Sequence, residues 1–318
     1  MTEQLAMPLR VTRNEKIAEG IHTLEFRAAE GETLPAFTAG AHIAITLPNG
    51  LVRKYSLCGD PAERGFYQIA VKRDARGRGG SMALIDNTKV GDVLMVAPPI
   101  NDFGLPPRGQ DFLFIAGGIG VTPMVAMIHE LRAAGKRFRL FYFNRTPEMT
   151  AFRDMLSAEE LKDVVVIHYD EGDPTRSYDL KPVLKERQNR EHLYCCGPRP
   201  LMEAVRAMTD HWSPTAVHFE AFSDAETHKA GDTPFTVRLA RSDKTITVPP
   251  DKTILEMLRD NGLDVPSSCE TGTCGTCRTK MLAGVADHRD LVLSDQEKAD
   301  TIMICVSRAM TGEITLDR

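Results

Sequence analysis

The sequence predicts a multidomain protein of 318 residues that combines an antiparallel Greek-key β-barrel, an α/β domain with a parallel sheet, and a β-grasp domain. Three observations support this prediction. Short strand-like segments fill the chain up to Ala97, strands then alternate with helices, and a cysteine-rich loop lies in the last quarter. Because the chain is too long for one ordinary core, we place three domains at 1–106, 107–229 and 230–318.

Composition narrows the functional class. The formal net charge of −5 gives no reason to expect binding to nucleic acid or to a membrane surface. The first residues lack a basic region followed by an apolar run, so we expect no signal peptide. The most apolar stretch, Phe112 to Ile128, is too short to span a bilayer and is interrupted by glycine and proline. With seven cysteines and no secretory signal, we expect a cytoplasmic protein, and we expect it to be a monomer.

The barrel prediction rests on six short segments with strand-like alternation. These are Leu9–Lys16, Ile21–Arg27, His42–Leu47, Arg53–Leu57, Phe66–Val71 and Val93–Val96. Six such strands suit a closed or Greek-key barrel, which removes exposed edges. Two features are unusual for a purely structural barrel: the run Arg53-Lys-Tyr55-Ser56-Leu57, and a glycine-rich segment that ends in Gly79-Gly80-Ser81.

The glycine-rich segment has the chemistry of an anion site. Gly80 and Ser81 open a predicted helix, where free amide donors and a hydroxyl meet the positive end of the helix dipole. Arg53 and Arg78 are candidate charge partners for a phosphate. Taken alone, each motif has a simpler interpretation, because Tyr-Ser pairs on strands and Gly-Gly-Ser turns are usually structural.

The middle of the chain predicts a nucleotide-binding sheet. Five strand-like runs alternate with helices: Phe112–Ile115, Arg139–Phe143, Val164–His168, Leu193–Cys196 and Val217–Glu220. After the first run, Gly117, Gly118 and Gly120 would let the backbone approach a pyrophosphate. Thr122 suits the N-cap of the following helix and Pro123 its first turn. The dinucleotide fingerprint is incomplete, because Pro123 stands where its third glycine would be.

Two further segments bear on the nucleotide. The run Cys196-Gly197-Pro198 follows a strand, and ligands bind at the carboxyl ends of such strands; Cys195 is expected to be a small core residue. Arg145 follows the second strand and could accept a 2′-phosphate. The nearby acids Glu148 and Asp170 disfavour that phosphate, and we therefore expect NADH to be the electron donor.

The C-terminal part contains the most specific motif. Cys269, Cys274 and Cys277 have C-x4-C-x2-C spacing, and Cys305 follows after 27 residues, an arrangement typical of a plant-type [2Fe-2S] cluster. Zinc is the alternative, although zinc usually takes two C-x2-C pairs. Around the loop, two strand-like runs at 235–239 and 246–248 and a helix from about Thr253 to Asn261-Gly262 fit a β-grasp unit.

The barrel and nucleotide motifs resemble those of the ferredoxin–NADP reductase superfamily. On that resemblance, the isoalloxazine and ribityl chain would be lined by side chains or backbone of Arg53, Tyr55, Ser56, Leu57, Val71 and Lys72. Gly80 and Ser81 would bind the phosphate, in a form that resembles the FMN-binding and not the FAD-binding branch. The resemblance also implies catalytic positions for Ser56, for Cys196 beside the nicotinamide, and for Phe222 over the flavin ring, although core packing is the alternative for Phe222.

The domain order, with a plant-type ferredoxin domain over residues 232–318 at the C-terminus, resembles the phthalate dioxygenase reductase family. That family implies electron transfer from NADH through FMN and the [2Fe-2S] cluster to a cognate Rieske non-haem iron oxygenase, one acting on phthalate or, alternatively, on vanillate. A flavin enzyme with its own organic substrate is the rival of another class. Residues 230–318 contain 11 Lys/Arg against 14 Asp/Glu, so we predict a basic partner surface.

Overall fold

The computed structural model describes residues 6–75, 77, 79–188, 190–222 and 227–318. They form two compact units, and the division falls between His218 and Phe219. The first unit holds a barrel and a parallel sheet, and the second holds a small mixed sheet. The domain boundaries at 106/107 and 229/230 stay predictions. Among the described residues, no helix is long and apolar enough to cross a bilayer.

The barrel is antiparallel and has the predicted strands. They are β1 (Met7–Ala18), β2 (Ile21–Ala28), β3 (Ala41–Thr46), β4 (Val52–Ser56), β5 (Tyr67–Lys72), β6 (Val93–Val96) and the unpredicted β7 (Ile100–Asn101), with helix α1 (Gly80–Asp86). The order is β4-β3-β6-β1-β2-β5, with β7 on β3, and a bridge between Leu57 and Ile69 joins the end of β4 to β5. Because β6 returns between β1 and β3, the connectivity is of the Greek-key type. Buried alternate residues such as Val11, Phe26 and Ile43 fill the barrel.

The parallel sheet forms the rest of the first unit and reaches its boundary. Its strands are β8 (Asp111–Gly117), β9 (Arg137–Asn144), β10 (Val165–Tyr169), β11 (His192–Cys196) and β12 (Val217–Glu220), and its helices are α2 (Thr122–Ala133), α3 (Arg153–Leu156), α4 (Lys181–Leu184) and α5 (Arg199–Met208). The strand order is β10-β9-β8-β11-β12. The chain adds β9 and β10 on one side of β8 and then returns to add β11 and β12 on the other side, so the order of strand addition reverses between β8 and β11. Ligands of open α/β sheets bind at the carboxyl ends of strands beside such a reversal.

The second unit has the predicted β-grasp arrangement. Its elements are β13 (Phe235–Leu239), β14 (Lys244–Val248), α6 (Ile254–Asp260), β15 (Arg278–Ala283), β16 (Ala286–Asp287), β17 (Thr301–Met303), β18 (Arg308–Ala309) and β19 (Glu313–Leu316). The main sheet has the order β14-β13-β19-β15-β17, and β13 pairs in parallel with β19. Helix α6 starts at a capping box, in which Thr253 and Glu256 each bind the backbone amide of the other.

A buried ion-pair cluster lies in this second unit. The carboxylate of Asp232 accepts hydrogen bonds from the guanidinium of Arg289 at 2.6 and 2.8 Å, and Arg289 is 5% exposed. Arg308 lies 3.6 Å from the same carboxylate and donates to the carbonyls of Lys252 and Pro249. The hydrogen bonds from Arg289 hold the pKa of Asp232 at about 2, because they stabilise the carboxylate.

Candidate functional site: a flavin cradle, a nucleotide loop and a cysteine loop

The two predicted flavin motifs meet in the folded barrel. A Cβ atom built on Gly80 would lie 2.8 Å from Cγ and 2.9 Å from Nε of Arg53, so the arginine stem lies directly against the start of α1. Gly79, just before the helix, has a φ of 76°, which favours glycine. This close approach brings the Arg53 side chain to a helix N-terminus, and a residue larger than glycine at position 80 would require that side chain to move. Arg78 lies outside the described residues.

The other barrel residues follow from strand register. Ser56 and Leu57 at the end of β4 are buried, whereas Tyr55 is partly exposed. Burial raises the pKa of the Tyr55 phenol to about 12, so this hydroxyl stays protonated at neutral pH. Val71 is buried and Lys72 is exposed at the end of β5, a strand that contacts both α1 and the turn after β8. The hydroxyl of Ser81 is close to the backbone and accepts from the Asp74 amide at 3.0 Å.

The nucleotide loop lies at the sheet reversal. In the parallel register, Ala116 on β8 is the partner of Cys196 on β11, so the chain leaves both strands at the same edge. A short 3-10 turn, Gly118–Val121, then leads into α2. The sequence prediction that these two segments share one site is therefore supported by their shared position at the sheet edge.

Two of the glycines in this loop have a different purpose from the predicted one. A Cβ on Gly120 would lie 2.2 Å from the Cys196 carbonyl oxygen, and a Cβ on Gly117 would lie 2.6 Å from Cδ of Pro198. Gly197 in turn faces the Gly117 amide nitrogen, with 2.9 Å to its own built Cβ. These glycines let two protein segments approach each other. Gly118 alone, with a φ of 54° and no atom within 4 Å of a built Cβ, faces open space.

The start of α2 differs by one residue from the prediction. Val121 is the N-cap, Thr122 is the first helical residue and Pro123 is the second. The Thr122 hydroxyl donates to the Ile119 carbonyl at 3.1 Å and is buried, so it closes the 3-10 turn and does not cap the helix. The prediction of a Thr122 N-cap was wrong because sequence alone did not show the extra 3-10 turn.

The remaining candidates fall in different environments. Cys196 is 1% exposed at the end of β11, and its neighbour Cys195 is fully buried as predicted. Arg145 is exposed directly after β9, and its carbonyl accepts from the Glu171 amide at 3.0 Å. Phe222 belongs to the second unit and is 46% exposed, so the core-packing alternative for this ring is wrong.

An aromatic stack beside β11 was not predicted. The rings of His218 and Tyr194 lie 4.4 Å apart and 18° from parallel, and His218 Nε2 lies 3.2 Å from Nδ1 of His192. Burial, followed by the neighbouring His192, lowers the pKa of His218 to about 4. Tyr194 also donates to the Gly104 carbonyl at 2.8 Å, which connects the sheet to the barrel. Isolated histidines in a sequence carry no signal of such stacking.

The four cysteines of the second unit form two pairs. The Cys269 amide donates to Cys274 Sγ at 3.5 Å, and Cys277 directly precedes Arg278, whose register partner Met303 lies two residues before Cys305. A two-iron cluster needs two thiolates on each iron, and this pairing suits it. In the described part of the chain, no three His, Cys, Asp or Glu residues converge on a single-ion site.

Backbone donors surround these sulfurs. The Thr271 amide donates to Cys269 Sγ at 3.4 Å, and the Cys269 amide donates to Cys274 Sγ at 3.5 Å. Within the first pair, the hydrogen bond from Cys274 holds the pKa of Cys269 below its usual range. Iron binds thiolates, and N–H···S hydrogen bonds stabilise them, so the loop fits the cluster.

Comparisons with known proteins agree with this three-part arrangement. Residues 8–104 match the family of oxidoreductase FAD-binding domains, residues 114–207 that of oxidoreductase NAD-binding domains, and residues 237–310 that of 2Fe-2S iron–sulfur cluster binding domains. A phthalate dioxygenase reductase from Burkholderia cepacia is 50% identical over 97% of this chain and 96% of its own. A phthalate 4,5-dioxygenase oxygenase reductase subunit from Pseudomonas putida is 49% identical over 97% of this chain and 96% of its own.

A solved structure shows the same organisation. It is a phthalate dioxygenase reductase, described as a modular structure for electron transfer from pyridine nucleotides to [2Fe-2S]. The two chains share 48% identity with a TM-score of 0.73, and the similarity covers 98% of each. Fold and sites thus define an iron–sulfur flavoprotein oxidoreductase. The chain belongs to the phthalate dioxygenase reductase family, and this membership and the three domain matches support the predicted cofactors FMN, [2Fe-2S] and NADH.

Proposed function

We propose that this protein is the NADH-dependent reductase component of a Rieske-type aromatic dioxygenase, with phthalate as the favoured substrate of the partner oxygenase. The single observation that carries the proposal is the presence of the neighbouring cluster cysteines on the same chain as the nucleotide loop. Relatives named for phthalate dioxygenases are about 50% identical, whereas a vanillate O-demethylase oxidoreductase is 38% identical. Phthalate is therefore preferred to vanillate.

The barrel residues hold the flavin in this proposal. Arg53 lies against Gly80 and balances the negative phosphate, while the amides at the start of α1 and the Ser81 hydroxyl donate to it. Tyr55 remains protonated and is available as a donor near the ring. Ser56 and Leu57 line the ring from β4, with Val71 and Lys72 contributing backbone from β5. Because Arg53 and Gly80 leave so little space, a larger residue at position 80 would push the arginine away.

The sheet edge holds the nicotinamide nucleotide. When bound, the nucleotide supplies a hydride, the flavin accepts it, and the cluster takes electrons one at a time. Gly118 offers an open backbone position for the pyrophosphate near Thr122 and Pro123. Cys196, which is buried at the end of β11, and Gly197, which is partly exposed, orient the nicotinamide ring, and Phe222 covers the flavin until the nucleotide enters. Arg145 lies on the adenosine side, where Glu148 and Asp170 disfavour a 2′-phosphate.

The partner in this proposal is the cognate Rieske non-haem iron oxygenase. The mild excess of acidic residues in 230–318 favours a basic docking surface around that oxygenase's electron entry point. We also propose a monomeric, cytoplasmic protein. Transfer to the oxygenase should slow as ionic strength rises from low to high, because salt screens charge attraction. A flat rate across that range would contradict electrostatic docking.

The decisive test separates entry of electrons from their exit. Cys277→Ser should leave NADH oxidation with ferricyanide near the wild-type rate and should reduce cytochrome c reduction at least tenfold. Cys58→Ser is the matched control, since Cys58 is equally buried but lies in the barrel. Cytochrome c reduction that stays at the wild-type rate in Cys277→Ser would refute the route through the cluster.

One comparison favours a second candidate. A tetrachlorobenzoquinone reductase from Sphingobium chlorophenolicum is 40% identical over 97% of this chain. A function as a quinone reductase with its own organic substrate would not need an oxygenase. NADH oxidation with halogenated quinones, measured against transfer to a phthalate dioxygenase oxygenase, distinguishes the two: the reductase proposal expects the faster turnover with the oxygenase.

A further inference from the structure

A buried carboxylate lies under the cysteine loop and takes no part in the route described above. Asp290 follows strand β16, and its side chain is 0% exposed. One oxygen, Oδ2, accepts from the amides of Val292 at 3.1 Å and Leu293 at 2.8 Å. These two hydrogen bonds close a tight turn over 290–293, so the side chain fixes the shape of its own backbone.

This turn is in contact with the loop that carries three of the cysteines. The Leu291 amide donates to the Gly272 carbonyl at 3.0 Å. A Cβ built on Gly272 would lie 3.1 Å from Cα and 3.3 Å from Cβ of Asp290, so the two backbones touch. Gly272 directly follows Thr271, whose amide donates to Cys269 Sγ at 3.4 Å. A continuous chain of contacts therefore runs from the Asp290 carboxylate to a cluster ligand.

The second oxygen of the carboxylate is not used by the turn. Asp290 Oδ1 and His288 Nδ1 are both buried, both lack a hydrogen-bond partner within the described residues, and lie 3.7 Å apart. His288 Nε2 lies 3.2 Å from the Lys298 carbonyl, which can only accept, so Nε2 carries the hydrogen in this contact. A buried carboxylate oxygen without a hydrogen bond is unfavourable, whereas an asparagine could cap the same turn without a charge.

We propose that Asp290 is a positioning residue for the cluster: its carboxylate fixes the turn that holds Gly272 in place beside Thr271 and Cys269, and its buried charge lowers the reduction potential of the cluster. The inference rests on the [2Fe-2S] cluster of the proposed function. Potentials of such clusters depend on nearby charge and on hydrogen bonds to sulfur. A negative charge in a water-poor environment opposes the arrival of an electron more strongly than the same charge in solvent.

The test compares three full-length variants by potentiometric titration followed by EPR. Asp290→Asn keeps an acceptor for the Val292 and Leu293 amides and removes the charge, so the cluster should become easier to reduce. We expect about a tenfold change in the reduction equilibrium, which is about 59 mV for a one-electron couple, with an unchanged EPR line shape. Asp290→Ala also removes the acceptor and should alter the line shape as well. Asp295→Asn is the control: its side chain is 98% exposed, and the same loss of charge should leave the potential unchanged.

Each outcome decides the question. An Asp290→Asn potential equal to that of wild type would overturn the proposal. If Asp290→Asn retains no cluster while its apoprotein unfolds at the wild-type temperature, the positioning role is supported. If that apoprotein unfolds at a lower temperature, Asp290 serves fold stability and the proposal fails. Absence of a cluster from the wild-type protein itself would instead refute the proposed function, so the two failures are distinguishable.

Discussion

The nucleotide loop and the cysteine loop both depend on glycine, but for different physical reasons. In the nucleotide loop the two demands fall on separate residues: Gly120 has no room for a side chain, and Gly118 has room but a φ of 54°. In the cysteine loop one residue meets both demands, because Gly272 has a φ of 77° and a built Cβ would lie 2.7 Å from Cγ2 of Val306. The same residue type thus marks close contact in one place and backbone twist in another.

This difference predicts how each loop responds to a single added methyl group. A contact made by backbone atoms cannot relax by changing a rotamer, whereas a side-chain contact can. A left-handed φ without a steric contact destabilises the fold only moderately, since one non-glycine residue in the left-handed region is unfavourable by about 1–2 kcal/mol. The expected effects therefore decrease from Gly120 to Gly272 to Gly118.

Gly120→Ala should have the largest effect. Its methyl group would lie 2.2 Å from the Cys196 carbonyl oxygen and 2.5 Å from its carbon, so one backbone segment must move. We expect the free energy of unfolding of the first unit to fall by about 3 kcal/mol or more, and NADH binding to weaken. Thermal unfolding and NADH titration measure this. An alanine variant with wild-type stability and affinity would show that the two segments are less tightly packed than these distances indicate.

Gly272→Ala should have an intermediate effect that centres on the cluster. Left-handed strain and overpacking against Val306 together should lower stability by about 2–3 kcal/mol, and cluster content per chain should fall. Iron and sulfide analysis with visible absorption gives the readout. Gly262→Ala is the matched control, because Gly262 has a φ of 75° but no atom within 4 Å of a built Cβ; equal cluster loss in both variants would argue against the contact.

The sequence was sufficient for the fold but only partly for the sites. Strand periodicity located the six barrel strands and the capped helix α6, because alternation and capping are local properties. The sequence also identified the four cysteines, because their spacing reflects cluster chemistry. It could not distinguish the contact glycine Gly120 from the twisted glycine Gly118, because that depends on Cys196, 76 residues further along the chain. It missed Asp290 for the same reason.

Gly118→Ala should have the smallest effect among the glycine variants. The methyl group would project into open space, so only the left-handed φ opposes it. We expect the free energy of unfolding to fall by about 1 kcal/mol. If the open space is where the pyrophosphate lies, the dissociation constant for NADH should rise more than stability changes. Unaltered NADH affinity together with the small stability loss would place the pyrophosphate elsewhere.

The two units should also differ in their response to acid, with a smaller effect still. Burial lowers the pKa of His218 in the first unit from 6.5 to about 4, so the folded form resists protonation. The contribution of His218 to the free energy of unfolding is fully present above pH 6.5. It decreases as the pH falls towards about 4, because the unfolded chain binds a proton at a higher pH than the folded chain does. Asp232 in the second unit has its pKa lowered from 3.8 to about 2, so its contribution decreases only below pH 3.8.

Acid unfolding of the full-length protein should therefore begin in the first unit. Flavin release reports on the barrel and loss of cluster absorption reports on the second unit, so the two transitions can be followed in one sample. His218→Gln should flatten the pH dependence of flavin release between pH 6.5 and 4 and leave cluster loss unchanged. If flavin release in that variant keeps the wild-type pH dependence, the acid sensitivity belongs to other groups, because glutamine has no side chain that binds a proton in this range.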